Sequence, residues 1–263
     1  MLIIKIGGGK EINAEGIIKD LSDIKEKFII IHGANFYRDE LALKLEIEKK
    51  VITSISGYSS VYSDENAIDL LMRAYAGLRN KKIVELCQMN GINAIGLSGL
   101  DGKVIKGERN KGIRVIEDGR KKILRDLSGK PKEVNVSLLN LLMENGYTPV
   151  LCVPIIDENN TAINSENDDI VNLLQDALQA DKIIQLIESP GYLEDKDNPE
   201  SLIKEISRNE LNSLEEKSGG RMKRKMLAIK KLFDRGAVKV FISDGRTEHP
   251  VKEALLGKGT VVS

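Results

Sequence analysis

Leu2-Ile3-Ile4-Lys5-Ile6-Gly7-Gly8-Gly9 opens the chain, an apolar, mostly β-branched run broken by one lysine and ending in three glycines. Such an uninterrupted run suits a strand buried on both faces of a parallel sheet. Glycines at its end let backbone N–H groups approach an anion closely, and Lys5 brings a compact charge suited to phosphoryl oxygens. A strand ending in a tight turn, with Lys5 solvated, accounts for the same residues equally well. No Gly-Lys-Ser/Thr follows, so the stretch is not a P-loop.

The pattern repeats outward from this run. Phe28–Ile31 ends in His32-Gly33-Ala34-Asn35, Ala94–Leu97 in Ser98-Gly99, and Thr148–Val153 at Pro154. Lys182–Ile187 stops before Pro190-Gly191, and Val238–Ile242 ends in Ser243-Asp244-Gly245. Amphipathic stretches lie between them: Ala14–Glu26, Arg38–Glu46, Asp64–Asn90, Val136–Asn145, Asp168–Leu178 and Met222–Arg235. Strands alternating with helices predict βαβ units, hence an α/β protein with a three-layer αβα sandwich around a mainly parallel sheet. Lys103–Gly107, Ile113–Gly119 and Lys121–Leu124 break the rhythm as short strands, the last two a hairpin about Glu117-Asp118-Gly119-Arg120. The polar connection Asp157–Thr161 is read as the boundary between an N-terminal lobe, 1–157, and a C-terminal lobe, 158–263.

Composition narrows the classes. The 263 residues carry 40 Lys/Arg and 40 Asp/Glu, a net charge of zero, which argues against a general polyanion binder. Two cysteines and two histidines build neither a disulfide framework nor a zinc site. The longest uncharged apolar run, 149–156, is far shorter than the roughly 20 residues that span a bilayer. No signal peptide is read, and a cytoplasmic protein without membrane or nucleic-acid partners is expected.

In a parallel sheet the turns after Ile6 and Ile31 open on one edge, where ligands bind. Two glycine turns there could cradle one anionic group; otherwise they are plain βα turns with His32 hydrogen-bonded in the core. Asn164-Ser165-Glu166-Asn167-Asp168-Asp169 opens a helix with more acid than a cap requires. A carboxylate there could align two lysines or hold Mg²⁺. Gly219-Gly220-Arg221-Met222-Lys223-Arg224-Lys225 puts four cations at a helix start, against the helix dipole unless an anion sits there. Residues 103–132 hold 11 Lys/Arg against four acids, a local +7, which fits either a solvated hairpin or a docking surface for an acidic partner.

Taken in order, these blocks resemble the amino acid kinase family along essentially the whole chain. Leu2–Gly8, Ile30–Gly33, Glu144–Val150, Asn164…Asp168 and Met222…Lys225 are similar to N-acetylglutamate kinases. Ser56–Asp64, Asn93–Gly102 and Gly220–Lys225 are similar to the LysZ-type branch, whose members phosphorylate the side-chain carboxylate of 2-aminoadipate or glutamate. Their substrate is blocked at its amino group by attachment to LysW, a small acidic carrier protein, in lysine and sometimes arginine biosynthesis. The resemblance implies the amino acid kinase or carbamate kinase-like fold, ATP and Mg²⁺, and a homodimer through the N-terminal lobe. It implies catalytic roles for Lys5, Asp168 and Lys225, and phosphate contacts from Gly7, Gly8, Gly33 and Ala34. Asn35, Gly57, Tyr58, Ser59 and Asn164 would contact the amino-acid substrate. Ile187, Glu188, Gly191, Tyr192, Leu193 and Met222 would border the nucleotide.

The chain departs from the pattern at four places, one of them the turn after Asn164, which has Glu166 where Asn or Asp is usual. N-acetylglutamate kinases carry an arginine near the equivalent of Tyr58–Val61, whereas none lies here between Arg38 and Arg73. The second glycine turn reads Gly33-Ala34-Asn35, and Ile187-Glu188-Ser189-Pro190-Gly191 lacks the usual hydroxyl-Asp pair. A kinase for free N-acetylglutamate and a non-catalytic amino-acid or nucleotide sensor on the same fold are the alternatives.

Overall fold

Leu2, Ile4 and Ile6 point to one side of the central sheet and Ile3 to the other, and both sides are fully buried. The computed structural model describes residues 1–55, 59–117, 120–195, 197–217, 220–234, 236 and 239–263, with backbone only for 59, 60, 117, 212, 215, 217 and 220–225. The elements of the first part are β1 (Leu2–Ile6), α1 (Ala14–Ser22), β2 (Phe28–His32), α2 (Asn35–Lys44), β3 (Val51–Thr53), β4 (Ser59–Val61) and α3 (Glu65–Leu71). A π-helical stretch, Met72–Arg79, joins α3 to α4 (Asn80–Met89). Next come β5 (Ala94–Ser98), β6 (Ile105–Arg109), β7 (Ile113–Glu117), β8 (Arg120–Leu124), β9 (Gly129–Val134), α5 (Val136–Glu144) and β10 (Thr148–Cys152). The remainder is β11 (Ile155–Ile156), β12 (Ala162–Ile163), α6 (Asn167–Leu178), β13 (Lys182–Ile187), β14 (Glu205–Ile206), α7 (Arg208–Lys217), α8 (Gly220–Asp234), β15 (Lys239–Asp244), α9 (Pro250–Leu255) and β16 (Thr260–Val262).

The main sheet runs β14-β16-β15-β13-β1-β2-β10-β5 and is parallel except where β16 pairs antiparallel with β15. β1 lies at the switch point: β2, β10 and β5 extend to one side, β13 and β15 to the other. Both ligand-facing turns and the turn after β13 therefore open on one edge. One face is covered by α1, α4 and α9, through Ile17, Ile18, Leu21, Ile83, Cys87 and Val251. The other packs against α6 and α8, through Ile170, Val171, Leu174, Ile229 and Leu232. The three-layer αβα architecture is as the alternation predicts.

Several boundaries differ from the periodicity. α1 stops at Ser22 rather than Glu26, and α2 starts at Asn35 rather than Arg38. Ala34 precedes α2 without a side-chain cap, so the sequence carries no start signal there. The helix expected over Asp64–Asn90 is one continuous rod with a π-helical middle. The β3–β4 pair, β11 and β12, α7 and α9 were not anticipated. Those strands are two or three residues long, and α9 has only six residues and no side-chain cap of its own. The hairpin of β7 and β8 is present, and its turn residues Asp118 and Gly119 lie outside the described set. Asp157–Thr161 turns between the antiparallel β11 and β12, with the Asp157 carboxylate accepting from the Asn159 and Thr161 amides. No helix among the described residues is long and apolar enough to cross a membrane.

Candidate active site

Alternation along β1 decides where Lys5 goes. It shares the face of Ile3, the face that α6 covers, and it lies in register with Gln185 of β13 and Ile31 of β2. The first turn of α6 ends over it, so the Lys5 ammonium is in direct contact with Asp168 Oδ1. Both side chains are mostly shielded, at 13% and 26% exposed. The pair joins two segments 163 residues apart, and the partial shielding strengthens the attraction over a surface pair.

The two glycine turns close on each other beside this pair. A Cβ on Gly8 would lie 2.7 Å from the Ala34 and Asn35 amide nitrogens, and one on Gly33 would lie 2.9 Å from Gly8 Cα. Only glycine permits that approach. The Gly7 amide is donated to Leu186 O (2.8 Å) and the Gly33 amide to Ile6 O (2.9 Å), which extends the sheet. The Gly8 and Asn35 amides have no partner among the described residues, and Asn35 begins an uncapped helix. They are the donors left to an anion in the cradle, at the positive end of α2. Gly33 allows the close approach of the two turns, whereas Gly7 is tight against Leu186 O and Ile12.

His32 is sealed beneath the second turn. Its Nδ1 faces Gly33 O (3.2 Å), and Asn80 Nδ2 donates to its Nε2 (3.2 Å) and to Val150 O (2.9 Å). Burial pushes the imidazole down to about 3, so it is neutral and committed to the core. His249 is held by Asp20 at 2.9 Å, on the junction of α1 with α9. Burial raises both thiols, Cys87 and Cys152, to about 12. Neither the histidines nor the cysteines offer a base or nucleophile to the cradle.

Asn164 donates to Ser63 Oγ (3.1 Å). The Ser63 amide donates to buried Asp126, whose other oxygen accepts from Ser128 Oγ (2.6 Å). Asn167 donates to His32 O (3.1 Å), while its own Oδ1 is buried without a partner among the described residues. Asn35 is exposed at the cradle's mouth and is gripped by Tyr75. Gly57 and Tyr58 lie outside the described residues, and Ser59 is described by its backbone in β4 only.

After β13, the Glu188 carboxylate sits over Gly9 and accepts from the Glu11 amide (2.6 Å). Ile187 is half-buried, while Tyr192 and Leu193 are core residues at 5% and 8% exposed. Gly191 packs against Thr260, which accepts from the Tyr192 amide (2.8 Å). Arg246 forks onto Asp244 at 2.8 and 2.7 Å at the end of β15. Met222 and Lys225 lie on α8, beside α6, with their side chains outside the described set. Tyr75, Ser63, Asp126 and Arg246 were missed in the sequence. Each acts across a long sequence separation or, like Arg246, in an ordinary-looking turn, and no local pattern marks them.

The sequence profile of the amino acid kinase family matches residues 1–244. The chain is 37% identical over 268 residues to a [LysW]-aminoadipate kinase of Thermus thermophilus, covering all of both chains. It is 30% identical over 267 residues to a [LysW]-aminoadipate/[LysW]-glutamate kinase of Sulfolobus acidocaldarius, again over all of both. Among solved structures, Giardia carbamate kinase superposes with a TM-score of 0.67 at 16% identity, over 99% of this chain and 97% of that one.

Proposed function

The chain belongs to the amino acid kinase family, and on that premise we propose that it moves the γ-phosphoryl group of ATP onto a side-chain carboxylate, giving an acyl phosphate in lysine or arginine biosynthesis. Its substrate is 2-aminoadipate, or glutamate, carried on LysW. The observation that carries this is Lys5 held on Asp168 beside a cradle with two uncommitted amides. Phosphoryl transfer asks mainly for positioning and charge stabilisation. A carboxylate nucleophile is already ionised near pH 7, so it needs no general base. Both histidines are committed elsewhere, in keeping with that chemistry.

In this reading Lys5 and Lys225 neutralise the transferring phosphoryl and Asp168 orients them. Gly8 and Asn35 donate to its oxygens. Asn164 and the 57–59 segment hold the amino acid. MgATP enters as substrate along Ile187–Leu193 and Met222. The N-terminal lobe, 1–157, carries the acceptor and the C-terminal lobe, 158–263, the nucleotide. The protein works in the cytoplasm as a homodimer joined through the N-terminal lobe, where Met72 and Leu78 are exposed.

The carrier docks on the β7–β8 hairpin. Arg114, Arg120, Lys121 and Arg125 are exposed there beside Ile116 and Ile123, themselves 62% and 65% exposed. Exposed apolar groups ringed by charge mark an interaction surface. The hairpin is stitched to the chain on either side of residues 56–58: Ile55 N donates to Arg114 O (2.8 Å) and Tyr62 Oη to Arg125 O (2.9 Å). A carrier held there is beside the acceptor pocket.

ATP turnover with carrier-linked 2-aminoadipate, carrier-linked glutamate, free N-acetylglutamate and no acceptor tests the reading. Turnover confined to the carrier-linked acceptors is expected. Preference for free N-acetylglutamate would move the assignment to that kinase, and nucleotide binding without turnover on any acceptor would make the chain a sensor.

A further inference from the structure

Asn35 has one side-chain partner among the described residues. The Tyr75 hydroxyl lies 2.5 Å from Asn35 Oδ1, although 40 residues separate them. The Tyr75 ring is 4% exposed. A phenol carries a single proton. Tyr75 donates that proton to Asn35 Oδ1. Burial pushes the phenol up to about 12, so the proton stays in place at neutral pH.

An amide held by its oxygen presents its NH₂. A carboxylate or phosphoryl group offers only acceptors at neutral pH. An Asn35 amide turned the other way would set a carbonyl oxygen against that anion. We propose that Tyr75 is a positioning residue that locks Asn35 with its NH₂ toward the reacting anion, an inference that rests on reading the Gly33–Asn35 turn as part of the acceptor site.

The π-helical stretch supports this independently. π-helical segments are rare and often mark functional sites. The stretch Met72–Arg79 carries both Tyr75 and Arg79, and buried Arg79 donates to Tyr37 Oη at 3.0 Å. Two side chains four residues apart on the π stretch therefore grip two residues of the first turn of α2, Asn35 and Tyr37. That turn is the one whose amides face the cradle.

The test is a double-mutant cycle of Tyr75→Phe and Asn35→Ala, read as kcat/KM for the carrier-linked acceptor, KM for ATP and the melting temperature. Each single variant should lose roughly tenfold in kcat/KM, the scale of one hydrogen bond to a charged group, with KM for ATP unchanged. In the Asn35→Ala background, Tyr75→Phe should cost nothing more, because there is no amide left to orient. Additive losses, or a Tyr75→Phe variant with normal kcat/KM beside a slow Asn35→Ala, would overturn the positioning role and leave Asn35 in the site. Normal kinetics in Asn35→Ala would remove Asn35 from the site and the proposal with it. Should Tyr75→Phe melt early, Asn35→Asp gives a second reading: its carboxylate has no donor end to present, so it should be slow whether residue 75 is Tyr or Phe. A Tyr75-dependent rate in that background would count against the proposal.

Discussion

Lys5 reaches Asp168 because its position in β1 puts it on the face that α6 covers. In Lys5→Ala the developing charge on the phosphoryl loses its cation while the fold keeps its strand. We expect kcat to fall on the order of 10²-fold with a smaller change in KM for either substrate, as for other preorganised charge-stabilising groups. Steady-state kinetics decide it, and near-normal kcat would take Lys5 out of the mechanism. Asp168→Asn should slow turnover without lowering the melting temperature appreciably, since volume and hydrogen-bonding oxygen are retained. A variant that melts early yet turns over normally would make Asp168 a structural residue. His32 makes a different prediction. The unfolded chain binds a proton at its usual pKa near 6.5, while the folded imidazole resists protonation down to about 3. The unfolded state therefore binds more protons across that window. Stability is intact above it and falls as the pH drops through it, by up to roughly 1.4 kcal/mol per pH unit. His32→Gln should flatten that acid limb in urea melts at pH 7, 5 and 4; an unchanged slope would assign the loss to other groups.

At the scale of elements, α9 shows how a weak local signal is rescued from a distance. Its six residues have no side-chain cap of their own, but buried Asp20 of α1 accepts from the Val251 amide (3.0 Å), the Lys252 amide (3.1 Å) and His249 Nδ1 (2.9 Å). Asp20 thus caps another helix and clamps α1 to α9 over the same sheet face. Asp20→Ala should cost about 2 kcal/mol, the sum of a lost cap and buried donors left unmatched. That corresponds to about 5 °C in Tm for a chain of this size, with turnover at 25 °C unchanged. Calorimetry and an activity assay on one sample check both halves; an unaltered Tm would show that α9 does not need the carboxylate. Within the same scale, β1, β2, β13 and β15 were legible because both of their faces are buried and their apolar runs are continuous. β3, β4, β11 and β12 were not, because two- and three-residue strands hold together by their pairing and leave too short a pattern to read.

At the scale of the whole molecule, zero net charge conceals a segregation. Eleven cations face four acids over 103–132, and one of those acids, Asp126, is buried against Ser63 and Ser128. The exposed imbalance on the β7–β8 hairpin is thereby sharpened. Charge on this scale raises encounter rates and is screened by salt over about 8–10 Å. KM for the carrier-linked acceptor should therefore climb steeply with ionic strength while KM for ATP stays nearly level. Reversing Lys121, Lys122 and Arg125 to Glu should raise the first and spare the second. Equal carrier affinity for wild type and triple variant at low and high salt would sink the docking surface.

The chain's own pattern determined the sandwich, the strand-end glycine turns, and the cations and carboxylates available at them, since each rests on short-range periodicity or on residue type alone. It also offered His32 as a core histidine, which the structure bears out through Asn80 and Gly33. Tertiary structure decided which amides remain for an anion, because that depends on which N–H groups the sheet has already taken: Gly7 and Gly33 are engaged, and Gly8 and Asn35 have no partner among the described residues. It decided equally that Tyr75 holds Asn35, Asp126 backs Ser63 and Asp20 caps α9. Those contacts join residues 40, 63 and more than 200 positions apart, and no local propensity encodes a partner that only folding brings within hydrogen-bond reach.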